Sequence, residues 1–248
     1  MADLPAWQYL AIALIFVWGG FVRSGLGFGG AALTMPLLML FLDSPVVILP
    51  IIAVHLLFFG ALTLGGNLHA IDWPYLRRSL LTMMPGKLIG VFGLLTMPGD
   101  WLILIIYAVT AVYAFMYVFG WKFHSHSRAA DAALLNVGGY ISGTSLTGAP
   151  LIITVYARNV AREKLRATLF VLWIILVLIK LGAFVATGTD LQLIHHLWLL
   201  PCAAIGHVLG LRLHRRILEL GEEGFMRWIG GALLLITVLG VINTLSNH

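Results

Sequence analysis

Apolar residues run along this chain in long blocks separated by short polar connections, with neither strict alternation nor a one-sided stripe. Blocks of roughly 17 to 25 apolar residues are the length that crosses a bilayer as helix. The pattern predicts full spans over 46–64, 79–97, 101–120, 167–186, 193–211 and 225–245. Two further blocks are interrupted. The first, 6–22, meets Arg23-Ser-Gly-Leu-Gly-Phe-Gly-Gly30 and resumes over 31–42; the second, 132–142, meets Gly143-Thr-Ser-Leu-Thr-Gly148 and resumes over 149–157. At about 1.5 Å per residue, neither arm of the first block is a comfortable span. Each interrupted block therefore reads as a helical hairpin with a glycine tip.

The blocks repeat. Gly19-Gly-Phe-Val22, Ser24-Gly25 and Gly30-Ala-Ala-Leu33 lie over Gly138-Gly-Tyr-Ile141, Ser142-Gly143 and Gly148-Ala-Pro-Leu151, with Arg23 the one extra residue. Pro85-Gly-Lys-Leu-Ile-Gly90 likewise lies over Pro201-Cys-Ala-Ala-Ile-Gly206. Two matches in the same order predict a duplicated unit, 1–121 and 122–248, inside one integral membrane domain.

Composition sharpens the class. Hydrophobic residues make up 60% of 248 and charged residues 10%, with a mean hydropathy of +0.99, which places the chain among all-α polytopic membrane proteins. The net charge of +5 is scattered through short loops and builds no basic face, so nucleic acid is not the expected partner. The single cysteine, Cys202, excludes an internal disulfide and a thiolate metal cluster. Residues 1–9 carry Asp3 and no Lys or Arg, the wrong start for a signal peptide, so 6–22 reads as retained structure.

The loop charges also predict topology. Basic connections fall at 65–78, 121–131, 158–166 and 212–224; the near-neutral ones are both termini, 43–45, 98–100 and 187–192. Cytoplasmic loops collect Lys and Arg, and every basic connection lands inside if each hairpin returns to the side it came from. Both termini are then periplasmic. Each half crosses an odd number of times, so the two are inverted, and the glycine tips meet near the midplane as in transporters with discontinuous helices. Two complete crossings per hairpin give the same parity.

At such tips the second arms start directly after the glycines, so their N–H groups and positive dipole ends face the interior. Gly25, Gly27, Gly29, Gly30, Gly143 and Gly148 permit close backbone approach, and Ser24, Ser142, Thr144, Ser145 and Thr147 add hydroxyl donors. The arrangement reads as an anion cradle, with close helix packing as the plain alternative. All 10 acidic residues fall in connections or termini, whereas Arg23, Lys87 and Lys180 lie within apolar segments. Each such charge costs roughly 2.5 to 3.5 kcal/mol or more, so an anionic substrate is the expected counterion. Lys180 has the alternative of reaching the outer interface. His55 is central in its span, where a neutral hydrogen-bonded imidazole is the plain alternative, and His207 is set aside as lying near a cytoplasmic end.

Other chemistry is excluded. Gly25-x-Gly27-x-x-Gly30 lacks the strand and βαβ context of a dinucleotide site. No nucleophile elbow, H-E-x-x-H motif or intramembrane carboxylate pair is present, so an enzyme is not expected. His124-x-His126 lacks a third ligand, and no metal or cofactor is expected. Gly86-x-x-x-Gly90 and Gly206-x-x-x-Gly210 permit close helix contacts, within the chain or in a homodimer.

Ser24-Gly-Leu-Gly-Phe-Gly-Gly30 with Pro36, and Gly139-Tyr-Ile-Ser-Gly143 through Gly148-Ala-Pro150, resemble the TauE/SafE sulfite exporter family of bacterial inner-membrane permeases. The resemblance covers essentially the whole chain. It implies export of sulfite, or of a related small sulfur oxyanion or organosulfonate, by a secondary transporter in the inner membrane. A channel, or a permease for another anion such as thiosulfate, stands beside that reading. The stretch Thr144-Ser-Leu-Thr147 departs from the glycine-rich second motif of many members.

Overall fold

The computed structural model describes residues 4–26, 30–42, 44–65, 68–121, 123–124, 127–219 and 222–246. Among these residues the regular elements are all helical: α1 (Ala6–Leu26), α2 (Gly30–Leu38), α3 (Pro45–Leu64), α4 (Trp73–Thr96), α5 (Gly99–Phe119), α6 (Arg128–Ser145), α7 (Ala149–Asn159), α8 (Arg162–Ala186), α9 (Leu193–Glu219) and α10 (Glu222–Ser246), with a 3₁₀ turn at Leu68–Ala70. Of these, 7 are long and apolar enough to cross a membrane: α1, α3, α4, α5, α8, α9 and α10. The protein is a polytopic membrane protein.

The helices outrun the hydropathy blocks. α4 takes in Arg77 and Arg78, α8 takes in Lys164 and Arg166, and α9 takes in Arg212. Arg, Lys and Glu are good helix formers, so charge marks where apolar surface ends and not where the helix ends. Asp72 starts α4 as a cap, its Oδ1 accepting from the Tyr75 N–H at 3.1 Å.

The first arm of the first hairpin is also longer than expected. α1 runs unbroken through Arg23, Ser24 and Gly25, and Ala6–Gly25 is itself a candidate span. The second arms are short as expected, α2 with 9 residues and α7 with 11, or roughly 14 and 17 Å.

The helices gather into two compact units, each drawing on both halves of the sequence. One unit holds α1, α2, α5, α9 and α10; the other holds most of α3 with α4, α6, α7 and α8. Val22, Leu33, Ala114, Ile229 and Leu233 form a core of the first. Leu76, Met83, Leu135, Ile152, Val155 and Leu172 belong to the core of the second.

Each unit is built on backbone meeting backbone. In the first, a Cβ on Gly206 would overlap the Val17 carbonyl and one on Gly210 the Phe21 carbonyl, while Gly20 lies against the Ala203 carbonyl. In the second, Gly86 meets the Asn136 carbonyl, Gly90 the Tyr140 carbonyl, and Gly139 the Met83 carbonyl. α9 therefore grips α1 as α4 grips α6. The hairpins match as well. Gly19 packs on Thr34 and Gly30 on Arg23; Gly138 packs on Ile152 and Gly148 on the Gly138 carbonyl.

The register of the repeat changes here, and of the two uses open to the Gly-x-x-x-Gly motifs the one within the chain is found. Gly206 corresponds in contact to Gly86, and Gly210 to Gly90, one helical turn on from the register that sets Pro201 over Pro85. Both Gly-x-x-x-Gly motifs are also occupied inside the chain, so neither face is left to join a second copy.

Pro85 breaks the hydrogen-bond ladder of α4 because proline carries no N–H. Asn136 of α6 splints the helix just there. Its Nδ2 donates to the Thr82 carbonyl at 2.8 Å and its Oδ1 accepts from the Gly86 N–H at 3.3 Å, joining two backbone groups that a straight helix would pair directly.

Three substitutions check this packing through thermal unfolding of the purified protein. Gly206→Val is expected to cost about 3 kcal/mol, because the Val17 carbonyl cannot yield. Gly231→Ala, facing open space within α10, should gain about 0.5 to 1 kcal/mol. Asn136→Leu strands the Thr82 carbonyl and the Gly86 N–H and should cost about 2 kcal/mol.

Candidate functional site

The site is built at the end of α6. Ser127 caps the start of this helix, accepting from the Ala130 N–H at 3.1 Å. The far end is turned by Leu146, which sits in the left-handed region at φ 63 and donates its N–H to the Ser142 carbonyl. That conformation costs a non-glycine residue roughly 1 to 2 kcal/mol. Leucine takes here the position that a glycine-rich tip would fill without strain. The chain restarts at Ala149 as α7, with Pro150 in its first turn.

Two lysines converge on the last turn of α6. Lys87 of α4 is fully buried, and its Nζ donates to the Ser142 carbonyl at 3.1 Å and the Ser142 Oγ at 3.3 Å. Lys180 of α8 is fully buried too, and its Nζ donates to the Thr144 carbonyl at 3.2 Å. It does not reach for an interface. The final carbonyls of a helix carry the negative end of its dipole; the Ser142 carbonyl, already accepting from the Leu146 N–H, accepts from Lys87 as well, and the Thr144 carbonyl accepts from Lys180.

The compensation is incomplete. A helix terminus supplies the equivalent of about half a negative charge, less than two ammonium groups would need. Among the described residues neither pairs with a carboxylate. Among the described residues of this unit an ion pair, Arg158 with Asp131 at 3.3 Å, ties the end of α7 to the start of α6 and is solvent-exposed on its arginine side.

The hydroxyls of this tip are mostly satisfied within it. Thr144 Oγ1 donates back along α6 to the Tyr140 or Ile141 carbonyl, and Ser145 Oγ shares a 2.6 Å hydrogen bond with Thr147 Oγ1 while reaching the Ile141 carbonyl. Only Ser142 Oγ meets a lysine. Gly143 lies against the Lys87 carbonyl and Gly90, and Gly148 against Gly138, so these two glycines serve helix approach. His55 of α3 is buried, with Nδ1 donating to the Ile51 carbonyl at 2.8 Å and its ring 6.4 Å from Phe59.

In the first unit Arg23 is buried in the last turn of α1, with Gly30 packed against its Cβ. Ser24 beside it is buried and hydrogen-bonds His207 Nδ1 of α9 at 2.5 Å. Gly25 is buried, while Gly27 and Gly29 lie outside the described residues. The sequence reading passed over His207. The signal was present in Gly86-Lys-Leu-Ile-Gly90 and Gly206-His-Val-Leu-Gly210, which align only in the glycine register.

The family model described as Sulfite exporter TauE/SafE matches residues 12–241. No curated protein and no solved structure matches the chain.

Burying an ammonium group without a carboxylate partner opposes folding. Lys180→Met, close in volume, removes a buried amine but strands the Thr144 carbonyl, so the stability read from the unfolding midpoint in detergent is expected to stay within about 2 kcal/mol of the wild type. A large fall in the midpoint would mean that Lys180 is there to hold α8 on α6.

Proposed function

Because the chain belongs to the sulfite exporter TauE/SafE family across nearly its whole length, we propose that it exports sulfite, or a related small sulfur oxyanion or organosulfonate, across the bacterial inner membrane by alternating access. The observation that carries the reading is the pair of fully buried lysines, Lys87 and Lys180, held at one helix end with no carboxylate between them among the described residues. A bound oxyanion supplies the missing negative charge. The contact of Ser142 Oγ with Lys87 Nζ supports a part for this hydroxyl in holding the same oxyanion.

The like gripping of α1 by α9 and of α6 by α4 supports a duplicated chain. The loop charges support inversion of one copy against the other, with both termini periplasmic. An inside-negative potential then drives the anion outward, releasing about 2.3 kcal/mol per charge for each 100 mV. No coupling ion is required.

Sulfite counterflow into proteoliposomes tests the function. Saturable uptake that follows an imposed potential is the expected result; flux without saturation would instead indicate a channel. Uptake indifferent to potential but abolished by collapsing a proton gradient would refute uncoupled export. Lys87→Met should raise KM on the order of 10- to 100-fold, the loss of a charged hydrogen-bonding partner.

Topology is checked in a Cys202→Ala background with single cysteines introduced at Ser44 and Ser127. Impermeant maleimide should label the first from the periplasm and the second only after the membrane is opened; equal labelling of both from one side rules the arrangement out.

A further inference from the structure

We infer that the first unit carries an anion-binding position of its own, formed by His207 and Ser24, and that it is the counterpart of Lys87 and Ser142 in the second unit. The inference rests on the reading of Lys87 as an anion-binding residue. It adds a residue that sequence alignment by the proline pair does not bring into view.

The correspondence is fixed by backbone contacts. His207 follows Gly206 and precedes Gly210, which lie against the Val17 and Phe21 carbonyls of α1. Lys87 follows Gly86 and precedes Gly90, which lie against the Asn136 and Tyr140 carbonyls of α6 in the same way. Four-residue spacing on one helix face sets the rotation of that helix, so the residue after the first glycine is carried to the same place relative to its partner. In both units a serine waits there. Lys87 Nζ donates to Ser142 Oγ at 3.3 Å, and Ser24 Oγ hydrogen-bonds His207 Nδ1 at 2.5 Å.

The chemistry matches as well as the place. Lysine and histidine are nitrogen donors that carry positive charge when protonated, and each is joined to a hydroxyl that can turn toward an oxyanion. Lys87 of α4 and His207 of α9 both reach the end of a hairpin's first arm, at Ser142 of α6 and Ser24 of α1, where the helix dipole favours a cation. In the first unit the last turn of α1 adds Arg23 next to Ser24, itself buried. The ligand class is therefore a small oxyanion, with sulfite as the probe.

A merely structural hydrogen bond between helices would hold α9 on α1 whatever the charge of the side chain. The test uses the full chain in proteoliposomes with sulfite counterflow, comparing His207→Leu, His207→Lys and Lys87→Met. His207→Leu should raise KM about 10-fold with little change in maximal rate, and His207→Lys should return KM to within about 3-fold of the wild-type value.

If Lys87→Met weakens sulfite binding while His207→Leu leaves KM unchanged, the inference falls and the proposed function stands. Equal loss in His207→Leu and His207→Lys makes His207 a packing residue and also overturns it. If the wild type takes up no sulfite, both readings fall together. Should His207→Leu fail to reconstitute, Ser24→Ala gives the same readout: KM raised about 3- to 10-fold supports the position, and a wild-type KM removes it.

Discussion

Backbone contact between helices is the constraint from which the rest follows. Between membrane helices there is no hydrophobic force to draw them together, because lipid tails are as apolar as leucine, and association depends on how closely backbones approach. Gly206 and Gly210 let α9 close on α1; Gly86 and Gly90 let α4 close on α6, with Gly20 and Gly139 answering from the other side. Contact over two successive turns fixes not only the separation but also the rotation of each helix. With rotation fixed, Lys87 and His207 have no choice of position. The polar contacts to Ser142 and Ser24 are consequences of the glycine spacing, and a change at Gly86 would displace Lys87 as surely as a change at Lys87 itself.

This constraint explains which parts of the molecule the sequence disclosed. Long apolar blocks are legible because a bilayer demands them, and the short second arms, α2 and α7, are legible because their apolar runs stop early. Helix ends are not. Lys164, Arg166 and Arg212 leave the apolar pattern yet remain helical, since their backbones hydrogen-bond as well as any. Ser24 and Gly25 look like breakers, but α1 continues through them where Gly210 packs against the Ser24 side chain. Local composition weighed against helix there, and a partner helix from the other half of the sequence decided for it.

The candidate residues divide along the same line. The burial of Lys87 and Lys180 was legible because both lie within apolar blocks, and among the described residues neither pairs with a carboxylate. Hydroxyls were not, because a serine or threonine in a helix can answer either a ligand or its own carbonyls, and Thr144 and Ser145 answer their carbonyls. The repeat was visible while its register was not. Pro85 and Pro201 look equivalent, yet a proline marks a local break, which at Pro85 is splinted by Asn136, whereas the glycines mark the contact that both units share.

The arrangement has an electrostatic consequence for what such a site selects. Two ammonium groups buried within a membrane would carry a cost on the order of 5 to 7 kcal/mol, and one helix terminus would offset part of it with about half a charge. A neutral ligand leaves that balance untouched, and a cation worsens it. An anion lowers it whatever its detailed shape, because the compensation is Coulombic and acts through donors, Lys87 Nζ and Lys180 Nζ, already fixed on carbonyls of one helix turn. Discrimination among anions of equal charge must then come from how many oxygens the serine hydroxyl and the two ammonium groups can reach together. If an oxyanion binds here as proposed, charge sets its class, and the reach of Lys87 Nζ, Lys180 Nζ and Ser142 Oγ at the last turn of α6 sets the member of that class.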